Sequence, residues 1–325
     1  MKRVSIGGGA ITASRIALGC MRISRTTKEN ADRLIKTALD LGIDFFDHAD
    51  VYGAGASEKM FGEILDLHSS IREKIKIQSK CTLVRDAVQT LYNDQTKEYI
   101  ISSVDGTLKR LGTDYLDLYL LHQPDTLVEP EEVAEAFHIL RAAGKVRYFG
   151  VSNHKPYQIM LLEKYMNEKL IVNQLQLSAA HTVLIDASNP MKLKDEFTAD
   201  GTGDVLTWCR LRDMTLQVWS PFQHGFYGGV FMESELYPEL NETVNRLADK
   251  KQVSPSAIAI AWILRHPAHM QPLIGTTNAE RLKDICKADD VEISREEWYE
   301  IYRASLRDEG KAELGSSMKK SSEKK

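Results

Sequence analysis

The chain has 325 residues, 43% of them hydrophobic, and 42 Lys and Arg stand against 46 Asp and Glu for a net charge of -4. That length can bury roughly three quarters of the unfolded surface in one large domain or two modest ones. The even charge balance, with no basic stripe, argues against a nucleic-acid face or a membrane-surface patch and leaves a small molecule as the expected partner. Cys20, Cys81, Cys209 and Cys286 are widely scattered with no C-x-x-C pair, which fits free thiols in a reducing compartment. No apolar run suits a signal peptide or nears the ~20 residues of a membrane span, so a cytoplasmic location is expected.

In chain order, Met1 to Ile6 leads into Gly7-Gly8-Gly9. This run precedes the first barrel-type strand and opens no helix, so it fails the G-x-G-x-x-G requirement of a doubly wound sheet and reads instead as a hairpin turn. Strand patterns recur at about residues 15–19, 43–46, 75–79, 115–121, 146–151, 171–175, 214–219 and 271–274, with amphipathic helical patterns in most gaps. Helix signals include Lys28 to Leu41 and Pro130 to Ala143, each stopped by a glycine, Gly42 and Gly144. Met160-Leu161-Leu162 and Trp262-Ile263-Leu264 sit at helical spacing and read as core.

Eight strand–helix units imply parallel strands joined by helical crossovers, and the expected fold is a (β/α)8 TIM barrel with an N-terminal β-hairpin, spanning residues 1–314. Ser178 to Asp204 and Gln223 to Leu236 break the spacing as long loops of the kind that form lids. Residues 315–325, polar and without periodicity, read as a disordered tail.

Asp47, Tyr52, Lys80 and His122 stand in order near the ends of expected strands, where a barrel places its chemistry. Each alone has a bland reading as solvated, packed or ion-paired. Their shared context gives them weight, and the surrounding motifs add to it. Asp47-His48-Ala49-Asp50-Val51-Tyr52-Gly53, Ser79-Lys80, Leu121-His122, Gly150-Val151-Ser152-Asn153 and Asn173-Gln174 together resemble the aldo-keto reductase signature, in order and over nearly the whole chain. His48 stands where many members of that family carry Thr, and the Asp-His-Ala-Asp form is similar to that of a bacterial NADP-dependent subgroup.

The resemblance implies reduction of aldehyde or ketone carbonyls with hydride from a nicotinamide. Tyr52 would then be the acid, and since a phenol has an ordinary pKa of about 10 it needs a cation, Lys80, to stabilise the phenolate left behind. Asp47 would keep Lys80 charged and aimed, and His122 would donate to the substrate oxygen. For the cofactor, the family pattern points to Gly19 and Met21, to Ser152, Asn153 and Gln174 at the carboxamide, and to Trp219 stacked on the nicotinamide ring. It also points to the Ser220-Pro221-Phe222 turn at the pyrophosphate.

Thr277 and Glu280 have capping-box spacing, so a helix is expected to open there with free amides. With Thr276 and Arg281, these amides would suit the 2′-phosphate of NADP, preferred over NAD. Gly275 departs from the Lys that many members place against that phosphate, and Asp284 would accept from the adenine amino group. Arg22, Ile23, Asp125, Phe226 and Tyr227 are expected in the pocket wall. Two other readings stay open: a Schiff-base lyase using Lys80, and a nucleotide-binding regulatory subunit of slow turnover. A monomer or weak homo-oligomer is expected.

Overall fold

The computed structural model describes residues 1–85, 91–186, 204–225 and 228–322. The chain opens on an antiparallel pair, β1 (Arg3–Ile6) and β2 (Ile11–Ser14), registered from Arg3 opposite Ser14 to Ile6 opposite Ile11. Gly7, Gly8 and Gly9 turn between them with φ of 61, 65 and 107°, a region that a Cβ disfavours. This is the expected hairpin.

Eight parallel strands then close a barrel. In chain order they are β3 (Ala17–Gly19), β4 (Phe45–Asp47) and β5 (Lys76–Cys81), then, after a small antiparallel pair β6 (Leu83–Arg85) and β7 (Leu91–Asn93), β8 (Leu116–Leu121), β9 (Val146–Ser152), β10 (Leu170–Gln176), β11 (Thr215–Trp219) and β12 (Gln271–Ile274). Neighbours around the barrel run β3, β4, β5, β8, β9, β10, β11, β12 and back to β3. The eight strand patterns of the sequence all correspond to barrel strands; the β6–β7 pair was not among them.

The helices are α1 (Lys28–Asp40), α2 (Ala56–Ile64), α3 (Ile71–Lys74), α4 (Lys97–Leu111), α5 (Pro130–Ala142), α6 (Pro156–Glu163), α7 (Val183–Asp186), α8 (Val205–Leu211), α9 (Pro238–Lys251), α10 (Pro255–Arg265), α11 (Ala279–Cys286) and α12 (Arg295–Ser322). Local chemistry sets several starts: Thr27, Thr96 and Ser254 each accept a backbone N–H of the first turn of α1, α4 and α10, satisfying a donor that the helix leaves free. None of the helices among the described residues is long and apolar enough to cross a membrane.

Strand alternation divides the interior in two. On β8, Leu118 and Leu120 face the barrel lumen, while Tyr119 and Leu121 pack outward under the helices, as a strand period of two requires. Val4, Ile6, Ile11 and Ala13 of the hairpin join the luminal cluster of Phe45, Leu118, Ile171 and Leu273. Gly7 N–H donates to Thr215 at the start of β11, and Arg3 pairs with Asp44 just before β4. The hairpin therefore plugs the end where the strands begin, leaving the opposite end for a site.

Two expectations are corrected. The capping box at Thr277 and Glu280 does not form: Asn278 is the N-cap of α11 and accepts from Arg281 N–H at 3.0 Å, while Glu280 turns away to Arg33 and Lys283. An Asn side chain one residue closer caps as well as Thr does, and two cations draw the carboxylate off. Met160 and Leu161 are 47% and 45% exposed, only Leu162 of that trio being buried, because α6 packs one face and the run covers more than one. The backbone of α12 runs helical to Ser322, past Leu314, after which the polar tail is expected. The four cysteines are free and buried, and Trp262, Ile263 and Leu264 are core as expected. Of the expected long loops, residues 187–203, 226 and 227 lie outside the described residues.

Candidate active site

Asp47 ends β4, Lys80 lies one residue from the end of β5, and His122 directly follows β8. Neighbouring parallel strands thus bring three ionisable groups to the open end. Tyr52 reaches them from a turn held tight by left-handed backbone: Gly53, Ala54 and Gly55 have φ of 59, 52 and 86°. At Gly53 a Cβ would stand 2.6 Å from Ser24 Oγ, so both the φ and the close approach require glycine.

Lys80 is fully buried, and its Nζ donates to the Asp47 carboxylate at 2.8 Å, to the His48 carbonyl at 2.8 Å and to the Tyr52 hydroxyl at 3.1 Å. Three donors meet three acceptors, the full complement of an ammonium. Burial pulls the Lys80 pKa down, but Asp47 and Tyr52 outweigh it and hold the group above its ordinary 10.5. Burial lifts Tyr52 to about 12, with Lys80 opposing and Asp47 adding to the rise, so the phenol keeps its proton at neutral pH. The Asp47 Oδ1 also accepts from Gln78 Nε2 at 2.5 Å and Gln174 Nε2 at 3.1 Å.

The His122 ring stands edge-on to Tyr52, centroids 5.9 Å apart. Burial, helped by Lys80, pushes its pKa well below 6.5, which leaves a neutral imidazole. Its Nδ1 is buried without a partner among the described residues.

A second group of side chains continues from the first. Trp219 Nε1 donates to Asn153 Oδ1 at 3.1 Å; Asn153 Nδ2 donates to the His122 carbonyl at 3.1 Å and to Ser152 Oγ at 3.0 Å; and Ser152 Oγ donates to the Gln174 carbonyl at 2.9 Å. Thr82, Asn153 and Ser220, which directly follow β5, β9 and β11, have φ of 102, 63 and 50°. Strained non-glycine backbone of this kind persists where the surroundings over-determine it and gathers at functional sites.

The model of the aldo/keto reductase family matches residues 15–305. The chain belongs to the aldo/keto reductase family. It is 35% identical to the uncharacterized oxidoreductase YcsN of Bacillus subtilis over 303 residues, covering 90% of this chain and 94% of that one. It is 33% identical to the 6-dehydroglucose reductase of Agrobacterium fabrum over 314 residues, covering 94% and 98%. A crystal structure of an aldo-keto reductase from Klebsiella pneumoniae in complex with NADPH shares the fold, with a TM-score of 0.74 at 22% identity over 93% of this chain and 94% of that one.

In this aldo/keto reductase the remaining expected positions fall in several places. Gly19 and Gly275 are neighbours across β3 and β12, a Cβ on Gly19 meeting the Gly275 Cα at 3.8 Å, whereas a Cβ on Gly275 would meet open space. Met21 is 37% exposed. Pro221 is buried and Phe222 packs on the core. Thr276 Oγ1 accepts from Asn278 N–H, Thr277 is half-buried, Arg281 is exposed, and Asp284 pairs with Lys287 at 2.8 Å. Ile23 is core, not pocket wall, because it lies under the first turn after β3. Arg22 is exposed, Asp125 accepts from Leu127 N–H, and Phe226 and Tyr227 lie outside the described residues. Sequence reasoning missed Gln78, Gln217 and Gln271, all fully buried; only Gln217, flanked by Leu216 and Val218 in β11, carried a signal, a glutamine inside a largely apolar strand.

Proposed function

We propose that this chain reduces aldehyde or ketone carbonyls, with NADPH preferred over NADH, Tyr52 giving its proton to the carbonyl oxygen. The observation that carries this reading is the buried Lys80 ammonium held between the Asp47 carboxylate and the Tyr52 hydroxyl. Because the Tyr52 oxygen accepts from Lys80, its own proton is free to be given away. The phenolate that results stands 3.1 Å from a fixed cation, which stabilises it. Asp47 keeps that cation charged, and the neutral His122 imidazole can donate to the same carbonyl oxygen as charge develops there. A bound nicotinamide would supply the hydride.

The residues suit that cofactor. Gln174 Nε2 is committed to Asp47 and Gln217, while its Oε1 receives no donor among the described residues, leaving an acceptor for a carboxamide N–H. Ser152 and Asn153 adjoin it, Trp219 offers a half-buried ring for stacking, and the Ser220–Phe222 turn would meet the pyrophosphate. The start of α11, with Thr276, Thr277 and the exposed Arg281, suits a 2′-phosphate. Gly275 adds no cation there, and Asp284 would have to share its carboxylate between Lys287 and adenine. The lyase reading is disfavoured by the raised Lys80 pKa, since an amine must lose its proton to attack.

Fluorescence titration with NADPH and NADH, followed by aldehydes, ketones and 6-dehydroglucose, tests the reading; the last is included because of the name of the Agrobacterium relative. Saturable NADPH binding with oxidation on carbonyl addition is expected. Binding of neither nucleotide would sink it, and binding without turnover would favour a regulatory subunit. Tyr52→Phe should lower kcat by about 10²-fold or more with NADPH affinity unchanged; undiminished kcat would remove Tyr52 as the acid.

A further inference from the structure

Four glutamines, Gln78, Gln174, Gln217 and Gln271, are at most 2% exposed inside the barrel. Gln174, Gln217 and Gln271 are register partners on β10, β11 and β12. Their amides form one chain: Gln271 Nε2 donates to the Ser14 carbonyl at 2.8 Å, Gln217 Nε2 to Gln271 Oε1 at 2.9 Å, and Gln174 Nε2 to Gln217 Oε1 at 3.1 Å. Gln174 Nε2 also reaches Asp47 Oδ1 at 3.1 Å.

Both ends of this chain are acceptors that cannot donate, a backbone carbonyl and a carboxylate, so the amides have one consistent direction. Gln271 must present its NH2 to Ser14 and its oxygen to Gln217. Gln217 must then present NH2 to Gln271 and oxygen to Gln174, and Gln174 must turn its NH2 inward. Reversing any one amide would set two oxygens or two NH2 groups face to face in a buried site, a cost borne without solvent.

We infer that Gln217 and Gln271 are positioning residues for cofactor and catalysis: anchored on the Ser14 carbonyl, they fix Gln174 so that it offers oxygen, not nitrogen, to the nicotinamide carboxamide. They also hold the Gln174 NH2 against Asp47, the residue that charges Lys80. This rests on the nicotinamide reading above, but the amide chain exists without any nucleotide and can be tested without one.

Gln217→Met and Gln271→Met keep volume and remove the amide. In nucleotide-free protein carrying 15N-glutamine, the Gln174 side-chain NH2 protons are expected to be protected from solvent exchange in the parent and to exchange faster in either variant. Unchanged protection in a folded variant overturns the relay whatever the protein binds. In the second arm, NADPH affinity should fall about tenfold in each variant, the loss expected for one buried hydrogen-bond partner. The affinity for 2′-phospho-ADP-ribose, which lacks the nicotinamide, should stay the same. Equal losses for both ligands would mark a general packing defect and overturn the positioning role. A parent protein that shows protected Gln174 amide protons yet binds no nucleotide would fault the nicotinamide reading, not the relay. Should Gln217→Met fail to fold, Gln271→Met, one link farther from Asp47, carries the same test.

Discussion

Asp47 and Asp50 lie three residues apart and meet opposite surroundings. Asp47 is met by an ammonium and two amides, whereas Asp50 meets neutral groups, the Ser103 hydroxyl at 2.8 Å and the Tyr99 hydroxyl at 3.2 Å on Oδ2 and the Val51 backbone amide, with Oδ1 buried and without a hydrogen-bond partner among the described residues. Burial is the main cause that raises Asp50 from 3.8 to about 6; Glu58 adds to the rise and the hydroxyls oppose it. Between those two values the folded chain holds a proton that the unfolded chain has released, so stability falls as pH rises through this window. The loss is at most about 3 kcal/mol at about 1.4 kcal/mol per pKa unit. Asp50→Asn removes the charge and keeps an oxygen for Ser103 and Tyr99. Urea unfolding at pH 4 and pH 7 should show the variant gaining on the parent at pH 7 relative to pH 4. An equal difference at both pH values would clear Asp50 as the source.

At the scale of elements, the barrel has a buried ion pair at each end, and the two serve different purposes. At the plugged end, Arg72 of α3 donates to Thr113 Oγ1, the Ile75 and Tyr115 carbonyls and Asp117 Oδ2, and Asp117 of β8 also accepts from Ile77 N–H. Arg72 and Arg147 bracket the Tyr115 ring at 3.7 and 3.9 Å. Every group there is satisfied, which fits a fastening between α3, β5 and β8. Asp117→Ala should therefore cost about 3 kcal/mol or more by stranding Arg72, seen in a urea melt, with NADPH affinity unchanged; a specific loss of NADPH affinity would contradict this division of the barrel. The strand and helix succession was legible because crossover packing imposes a period on the apolar residues, and strand ends marked Asp47, Lys80 and His122. Gln217 and Gln271 were not legible as a site, since their partners come from separate strands and from Ser14, far away in sequence. Thr277 and Asn278 compete for one cap, which local pattern does not decide, and the exposure of Met160 depends on which face of α6 finds a neighbour.

For the whole molecule, the buried imidazoles set the response to acid. His48 and His154 are held neutral, pushed down to about 3 and about 4, burial being the largest cause in both; Lys80 adds to the effect on His48, while the Ser152 carbonyl works against it on His154. His48 has neither ring nitrogen partnered among the described residues and lies against Phe61, ring centroids 4.6 Å apart. Below pH 6.5 the unfolded chain takes up protons that these folded sites refuse, so stability falls as pH drops. By pH 4 the loss approaches about 3 kcal/mol for each such group. Asp50 acts in the opposite sense below about pH 6, but one carboxyl stands against His48, His154 and His122 together. The molecule should lose stability steadily from pH 6.5 to pH 4. His48→Thr gives up packing against Phe61 and should be the weaker protein at pH 7, yet its urea midpoint should decline less than the parent's between pH 7 and pH 4.5. Parallel declines would show that His48 is protonated in the folded state or plays no part in the acid response.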